Sequence, residues 1–474
     1  MKTSFKLSRK TVSGLPIHPE RVIQFGTGNF MRAFVDWQLQ QMNDRGLFAG
    51  SAVGVQAVSE QPDPEFAAQD YLYTVLLRGI QGGETVDTGE IVSSVSRVIS
   101  AYTDYEQFLA LAEDERLEFI TSNTTEAGIV YRPEDRLEDA PPAGFPAKLT
   151  VLLHRRYRLG RKGFTVIPCE LIDRNGEKLL EIVKLHAADW ELGEGFLRWL
   201  DEENTFCCSL VDRIVPGYPR EQAEELEQNL GYKDEFMVAA EPFLLWVIEG
   251  PDRLRQTLPL AEAGLNVVVT SDMTPYRERK VHLLNGPHTA MVPLGLLAGL
   301  ETVEEVMHDA DLSAFVLELV ERELIPMLDL PEPELRAYSE AVLERFRNPF
   351  IRHELRSISL NSISKFKARL LPLLRRYAAE RGELPPLITL AFAALLHSYR
   401  GGKVRRQDEA QTLELFDRAA GDPSTFTATV LRQQEWWGSD LNELPGLADS
   451  LNARMDEIGR SGVRSALRRI LRGE

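Results

Sequence analysis

Lysine, asparagine and histidine stand close together in Lys280-Val-His-Leu-Leu-Asn285-Gly-Pro-His288. On a helix turning about 100° per residue, His288 lies roughly 80° and Asn285 roughly 140° from Lys280, so one broad face carries all three. Pro287 lacks a backbone donor and should bend the segment. Such a patch offers a proton donor and two groups able to hold a developing oxyanion, which is what reduction of a carbonyl by hydride requires. A solvated helix face with a stray histidine would also fit the triplet alone, and the amino terminus decides between the two.

There the apolar run Arg21-Val-Ile-Gln-Phe25 leads into Gly26-Thr-Gly28-Asn-Phe30-Met31-Arg32-Ala-Phe34. The pattern predicts a first strand, a tight glycine turn and a helix whose amino end points at a phosphate. Gly26 permits the turn, Gly28 lets the backbone approach a pyrophosphate, and the helix dipole favours the anion. Met31 stands where the dinucleotide fingerprint has its third glycine.

With these two elements the chain resembles the long-chain polyol-specific dehydrogenases, the mannitol dehydrogenase family with its uronate reductases. Further matching segments are Gln69-Asp-Tyr-Leu-Tyr73-Thr74, Thr121-Ser-Asn-Thr-Thr-Glu126-Ala-Gly128, Ile167-Pro-Cys169-Glu170, Asn175-Gly176 and Val211-Asp212-Arg213-Ile214. They spread over roughly residues 20 to 370. The spelling around the glycine turn is most similar to the uronate-reducing members. The resemblance implies a reversible, metal-independent reduction of a keto-uronate by NADH, with tagaturonate first among the substrates. Fructuronate or neutral fructose are the alternatives within the family, and a non-catalytic nucleotide sensor the alternative outside it.

Composition sets bounds that agree. A chain of 474 residues is too long for one ordinary core, so two domains are expected. The net charge of −18 disfavours a nucleic-acid partner and obliges an anionic substrate to find a local cationic pocket. Cys169, Cys207 and Cys208 are too few for a disulfide framework and suit a cytoplasmic location. No nearby Cys and His pair has metal-site spacing, so no metal is expected. Neither a secretory signal nor a stretch of membrane-spanning length is visible. The sequence leaves the oligomeric state open.

Strand candidates at 21–25, 52–58, 118–122, 164–171 and 265–270 include continuous apolar runs, which suit a sheet covered on both faces. A loop at 131–146 leads into a helix from Lys148 to Tyr157. After about residue 275 helical spacing takes over, as in Leu312, Phe315, Val316 and Leu319, and Leu387 to Leu396 reads as a core helix. The expected fold is therefore α/β, with a Rossmann-like dinucleotide-binding domain over 1–272 and a mainly helical substrate domain over 273–474. The Lys280 segment then falls at the seam between them. Arg464, Arg468, Arg469 and Arg472 suit a terminal amphipathic helix with a solvated face.

The resemblance also implies roles. Lys280 acts as general acid in reduction and as base in the reverse direction. Its amine titrates near 10.4 when free and lower when buried beside other cations. Asn285 polarises the carbonyl, and His288 binds a neighbouring hydroxyl or orients the lysine. Asp212 lies near substrate, or alternatively pairs with Arg213. For a uronate Lys365 is expected to hold the substrate carboxylate, helped by Arg356, but Ser357 stands where the polyol members have an arginine, which leaves open which cation binds it. Asn204 is a weaker candidate, and Glu170 is expected in a solvated turn. At the cofactor the resemblance places Ile23, Gly26, Gly28, Asn29, Phe30, Arg32, Thr124 and Glu126, with a surface position as the other reading of Arg32. After the second strand come Gln56, Ser59 and Glu60, without an arginine for a 2′-phosphate, which favours NAD over NADP.

Overall fold

The computed structural model describes residues 5–57, 62–401 and 404–473, so Ser59 and Glu60 lie outside the described residues. The chain divides into two compact units. One comprises Met1–Arg78 and Thr85–Met273, the other Gly79–Glu84 and Thr274–Glu474.

The first unit is built on a six-stranded parallel sheet of β1 (Glu20–Phe25), β2 (Ser51–Gln56), β3 (Val95–Ser100), β4 (Phe119–Ser122), β5 (Thr165–Pro168) and β6 (Thr205–Phe206). Its spatial order is β3-β2-β1-β4-β5-β6, the doubly wound arrangement whose switch point lies beside the carboxyl end of β1. Successive side chains point to opposite faces, and both faces are covered. Val22, Ala52 and Phe119 enter one apolar core, while Ile23, Val53 and Ile120 enter the other. That double burial is why Val22–Phe25 and Ala52–Val55 read as largely apolar runs.

A two-stranded sheet of Phe5–Lys6 and Tyr232–Lys233 and two three-stranded sheets also belong to the unit. In one, the hairpin Tyr73–Gln81 and Glu84–Val92 is joined by Val238–Ala240; in the other, Leu245–Glu249 lies between Cys208–Asp212 and Val267–Thr270. The expected strand at 265–270 thus belongs to a separate small sheet.

In the second unit the segments from Thr274 onward are helical, with an isolated bridge between Thr302 and Glu354. The helix Pro386–Tyr399 is buried nearly all round and packs against Gly286–Leu297 and Leu447–Ser461. The terminal helix Val463–Leu471 buries Val463, Ala466, Leu467 and Ile470. Its arginines are taken up by acids of the same unit, Arg464 by Asp309 at 2.6 Å and Arg468 by Asp311 at 2.9 Å.

The expected uniform helix through Lys280 and His288 is interrupted. An α-helix covers Thr274–Lys280, a π turn covers Val281–Asn285, and an α-helix resumes at Gly286–Leu297. The wide turn ends just before Pro287, whose ring would clash with the carbonyl four residues back in an α-helix. One inserted residue rotates the later face by about 100°, so the simple helical-wheel angles do not hold beyond Val281. A second π turn, Arg32–Asp36, interrupts the helix after the glycine turn.

Candidate active site

At the end of β1 the chain turns at Gly26, where φ is +102° and an added Cβ would come within 2.8 Å of the Asn123 carbonyl oxygen. Only glycine fits there. Gly28 differs: φ is −72° and an added Cβ would meet nothing within 4 Å. It precedes the helix that opens at Asn29, whose first turn closes through the Arg32 N–H on the Gly28 carbonyl at 3.1 Å. The glycines border a cavity of about 420 Å³ that Gln56, Asn123, Thr124 and Arg132 also line. Free backbone N–H groups at a helix start, a Cβ-less wall and open space suit a pyrophosphate. The residues present therefore fit a dinucleotide.

A buried network fixes this turn. The Gln24 amide donates to the Gly26 carbonyl at 3.2 Å and to Asp36 Oδ2 at 3.3 Å, and the Tyr73 hydroxyl donates to the same oxygen at 3.1 Å. Burial pushes the Asp36 carboxyl up to about 7. Arg32 is buried, not on the surface. It donates to Asn29 Oδ1 at 2.7 Å and to the Phe236 carbonyl, among the rings of Phe66, Tyr73 and Phe236. It lines a second cavity of about 260 Å³ together with Thr27 and Gln56. Phe30 stacks on Phe34 at 4.8 Å and so secures the helix.

Glu170 is likewise buried, which corrects the expectation of a solvated turn. It accepts from the Thr124 N–H at 2.8 Å, the Thr124 hydroxyl at 3.0 Å and the Ser122 hydroxyl at 2.9 Å. Glu126, from the same loop, is exposed and does not line the larger cavity. Ile23 is fully buried within the apolar core of the sheet. Neither Arg132 nor Glu170 carried a sequence signal as a wall or support of this cavity.

In the second unit Lys280 and Asn285 are half-buried, and His288 is 7% exposed. The His288 ring lies 4.3 Å from Phe346 and 4.8 Å from His353, and its Nε2 has no hydrogen-bond partner. Burial, followed by the charges of His353, Arg345, Arg369 and Lys365, holds His288 well below the usual histidine range. Arg345, Lys365 and Arg369 come from distant segments and bring positive charge to bear on His288, while burial and Arg345 hold His353 below the usual histidine range. Arg356 is exposed and is not among the charges that bear on His288. Lys365 donates to the Ile358 carbonyl at 2.8 Å, and burial together with Arg369 lowers its pKa.

Asp212 is buried at the end of Cys208–Asp212 in the first unit, and Arg213 beside it donates to the carbonyls of Glu241 and Ala33 at 2.9 and 2.8 Å. Asn204 caps locally, accepting from the Phe164 N–H at 2.9 Å and donating to the Trp199 carbonyl at 3.1 Å. Among the described residues Glu177, Cys208 and Glu249 could together reach a metal ion, but the Arg174 guanidinium bonds both carboxylates. No helix of the described chain is long and apolar enough to cross a membrane.

A doubly wound sheet with a glycine turn, followed by a helical unit bearing a lysine, an asparagine and a histidine around a π turn, defines a two-domain oxidoreductase that uses a nicotinamide dinucleotide. The chain belongs to the mannitol dehydrogenase family: residues 20–262 match the mannitol dehydrogenase Rossmann domain and residues 272–459 the mannitol dehydrogenase C-terminal domain. It is 45% identical to altronate oxidoreductase of Bacillus subtilis (strain 168), over 98% of this chain and 97% of that protein. It is also 45% identical to altronate oxidoreductase of Klebsiella pneumoniae (strain 342), over 98% and 99%. Two solved structures share the fold. Pseudomonas fluorescens mannitol 2-dehydrogenase, in a ternary complex with NAD and D-mannitol, is 22% identical with a TM-score of 0.70 over 100% of this chain and 98% of that one. A substrate-free D-sorbitol dehydrogenase is 24% identical with a TM-score of 0.82 over 97% and 100%.

Proposed function

We propose that the protein reduces D-tagaturonate to D-altronate with NADH and catalyses the reverse oxidation. The observation that carries this reading is the positive charge that Arg345, Lys365 and Arg369 bring to bear on His288, in a chain whose net charge is −18. A neutral polyol has no use for such charge, whereas a sugar acid repelled by the rest of the surface needs it. Between keto-uronates, the altronate oxidoreductases that match nearly the whole chain favour tagaturonate over fructuronate.

Gly26 and Gly28 would hold the pyrophosphate through their backbone, with Thr124 on the facing loop. The dinucleotide, when bound, supplies the hydride. NADH is the proposed carrier because β2 ends in the uncharged Gln56 and Ala57 at the cavity wall. Lys280 gives its proton to the alkoxide oxygen formed from the substrate carbonyl and takes it back in the oxidation. Asn285 donates its amide N–H to the same oxygen, so the charge that develops there is met by a preset dipole. His288, kept neutral, offers its unpartnered Nε2 to a substrate hydroxyl.

The test is oxidation of NADH followed by absorbance, with tagaturonate, fructuronate and fructose in parallel and NADPH as the alternative carrier. A rate with tagaturonate at least tenfold above the others supports the reading. A higher rate with another sugar keeps the lysine chemistry and changes the substrate. Binding of NADH with no turnover of any sugar points to a nucleotide-sensing protein.

A further inference from the structure

We propose that the Arg369 guanidinium grips the substrate carboxylate and thereby sets the preference for a sugar acid over a neutral sugar. The assignment rests on the sugar-acid reading above.

Arg369 ends the helix Ser362–Arg369 and is half-buried. Its main-chain carbonyl accepts from His282 Nδ1 at 2.8 Å, and its Nη1 donates to the Thr289 hydroxyl at 3.1 Å. That hydroxyl in turn donates to the Asn285 carbonyl at 2.9 Å. Both ends of the residue are thus tied to the segment that carries Lys280, Asn285 and His288. Its Nε and Nη2 make no hydrogen bond among the described residues, and no carboxylate there pairs with it.

Other arginines of this unit are neutralised: Arg376 by Asp329 and Glu380, Arg464 by Asp309, and Arg279 by Glu334. A half-buried cation without a counter-ion is costly, and an incoming carboxylate that accepts from Nε and Nη2 together relieves that cost with two parallel bonds. Lys365, the residue expected for this task, is less suited, because its ammonium already donates to the Ile358 carbonyl and Asp408 partly offsets its charge. A fork of two donors also fixes the orientation of a planar acid, which a lysine cannot do.

The experiment compares the wild-type enzyme with Arg369→Gln and Arg369→Lys, measuring KM and kcat for tagaturonate and the dissociation constant for NADH. The expected result for Arg369→Gln is a KM at least thirtyfold higher, with kcat within fivefold and NADH binding within twofold of wild type. Arg369→Lys should recover part of the KM, since charge without the fork is restored. A KM unchanged within threefold overturns the assignment. So does equal loss in both variants with weakened NADH binding, which marks a packing role. Absence of wild-type turnover with both tagaturonate and fructuronate is a separate result that removes the sugar-acid reading and this assignment with it.

Discussion

The buried carboxylate of Glu170 accepts both the backbone N–H and the hydroxyl of Thr124, at 2.8 and 3.0 Å. A residue on the loop after β5 thereby holds the loop after β4 against the proposed dinucleotide cavity. Loss of buried hydrogen bonds of this kind costs about 1–3 kcal/mol. Glu170→Ala should weaken NADH binding by about tenfold or more while kcat at saturating NADH changes little. Fluorescence titration of NADH, set beside kcat, checks this.

The two glycines of the turn should respond differently to alanine. Gly26→Ala places a Cβ 2.8 Å from a backbone carbonyl at a φ of +102°, so both the fold of the turn and its ligand suffer. The strain should amount to about 1–3 kcal/mol. Gly28→Ala meets no protein atom within 4 Å, so the melting temperature should stay near wild type while NADH affinity falls at least tenfold. Thermal melts with and without NADH distinguish the two.

Asp36 gives a pH dependence with a definite sign. Its carboxyl titrates at about 7 in the folded chain against an ordinary value of 3.8. Between these values the unfolded chain releases a proton that the folded chain keeps, so stability falls as pH rises from about 4 to 7 and levels off above. The slope is at most about 1.4 kcal/mol per pH unit. In Asp36→Asn the side-chain oxygen can still accept from Gln24 and Tyr73. The variant should therefore gain on wild type from pH 5 to 7 and gain no more beyond, as read by chemical denaturation across that range.

His288 acts in the opposite direction. Burial, with the basic neighbours His353, Arg345, Arg369 and Lys365, holds it well below 6.5 in the folded chain. As pH falls through about 6.5 the unfolded chain binds a proton that the folded chain refuses, and stability is lost. Histidine 288 replaced by glutamine, His288→Gln, should flatten the acid side of the stability profile between pH 7 and 5. An unchanged acid slope would show that the ring is not kept neutral.

Much of the fold was legible because doubly covered parallel strands demand largely apolar runs, as in Val22-Ile-Gln-Phe25, and because a glycine with positive φ followed by a helix leaves a local spelling. The helical second half was legible from its spacing. The π turns at Arg32–Asp36 and Val281–Asn285 were not, since one inserted residue leaves no compositional mark apart from Pro287 after the second. The hairpin at Tyr73–Val92 was missed because its second strand, ETVDTGEIV, is exposed and polar for most of its length. At the site, Lys280, Asn285 and His288 could be named because they are near neighbours in sequence. The basic neighbours of His288 could not: Arg345, His353 and Arg369 come from segments far apart in sequence, and a lone arginine at the end of a helix looks like surface. Glu170 misled for the same reason, as a charged residue whose burial depends on distant partners.

In the proposed reaction Lys280 moves the proton during reduction of the sugar acid. This is read from kcat for tagaturonate reduction by Lys280→Ala, together with NADH binding by fluorescence titration. The expected kcat is lower by about 10³-fold or more, with NADH affinity within twofold of wild type. A kcat within tenfold of wild type, or loss of NADH binding along with turnover, would contradict that role.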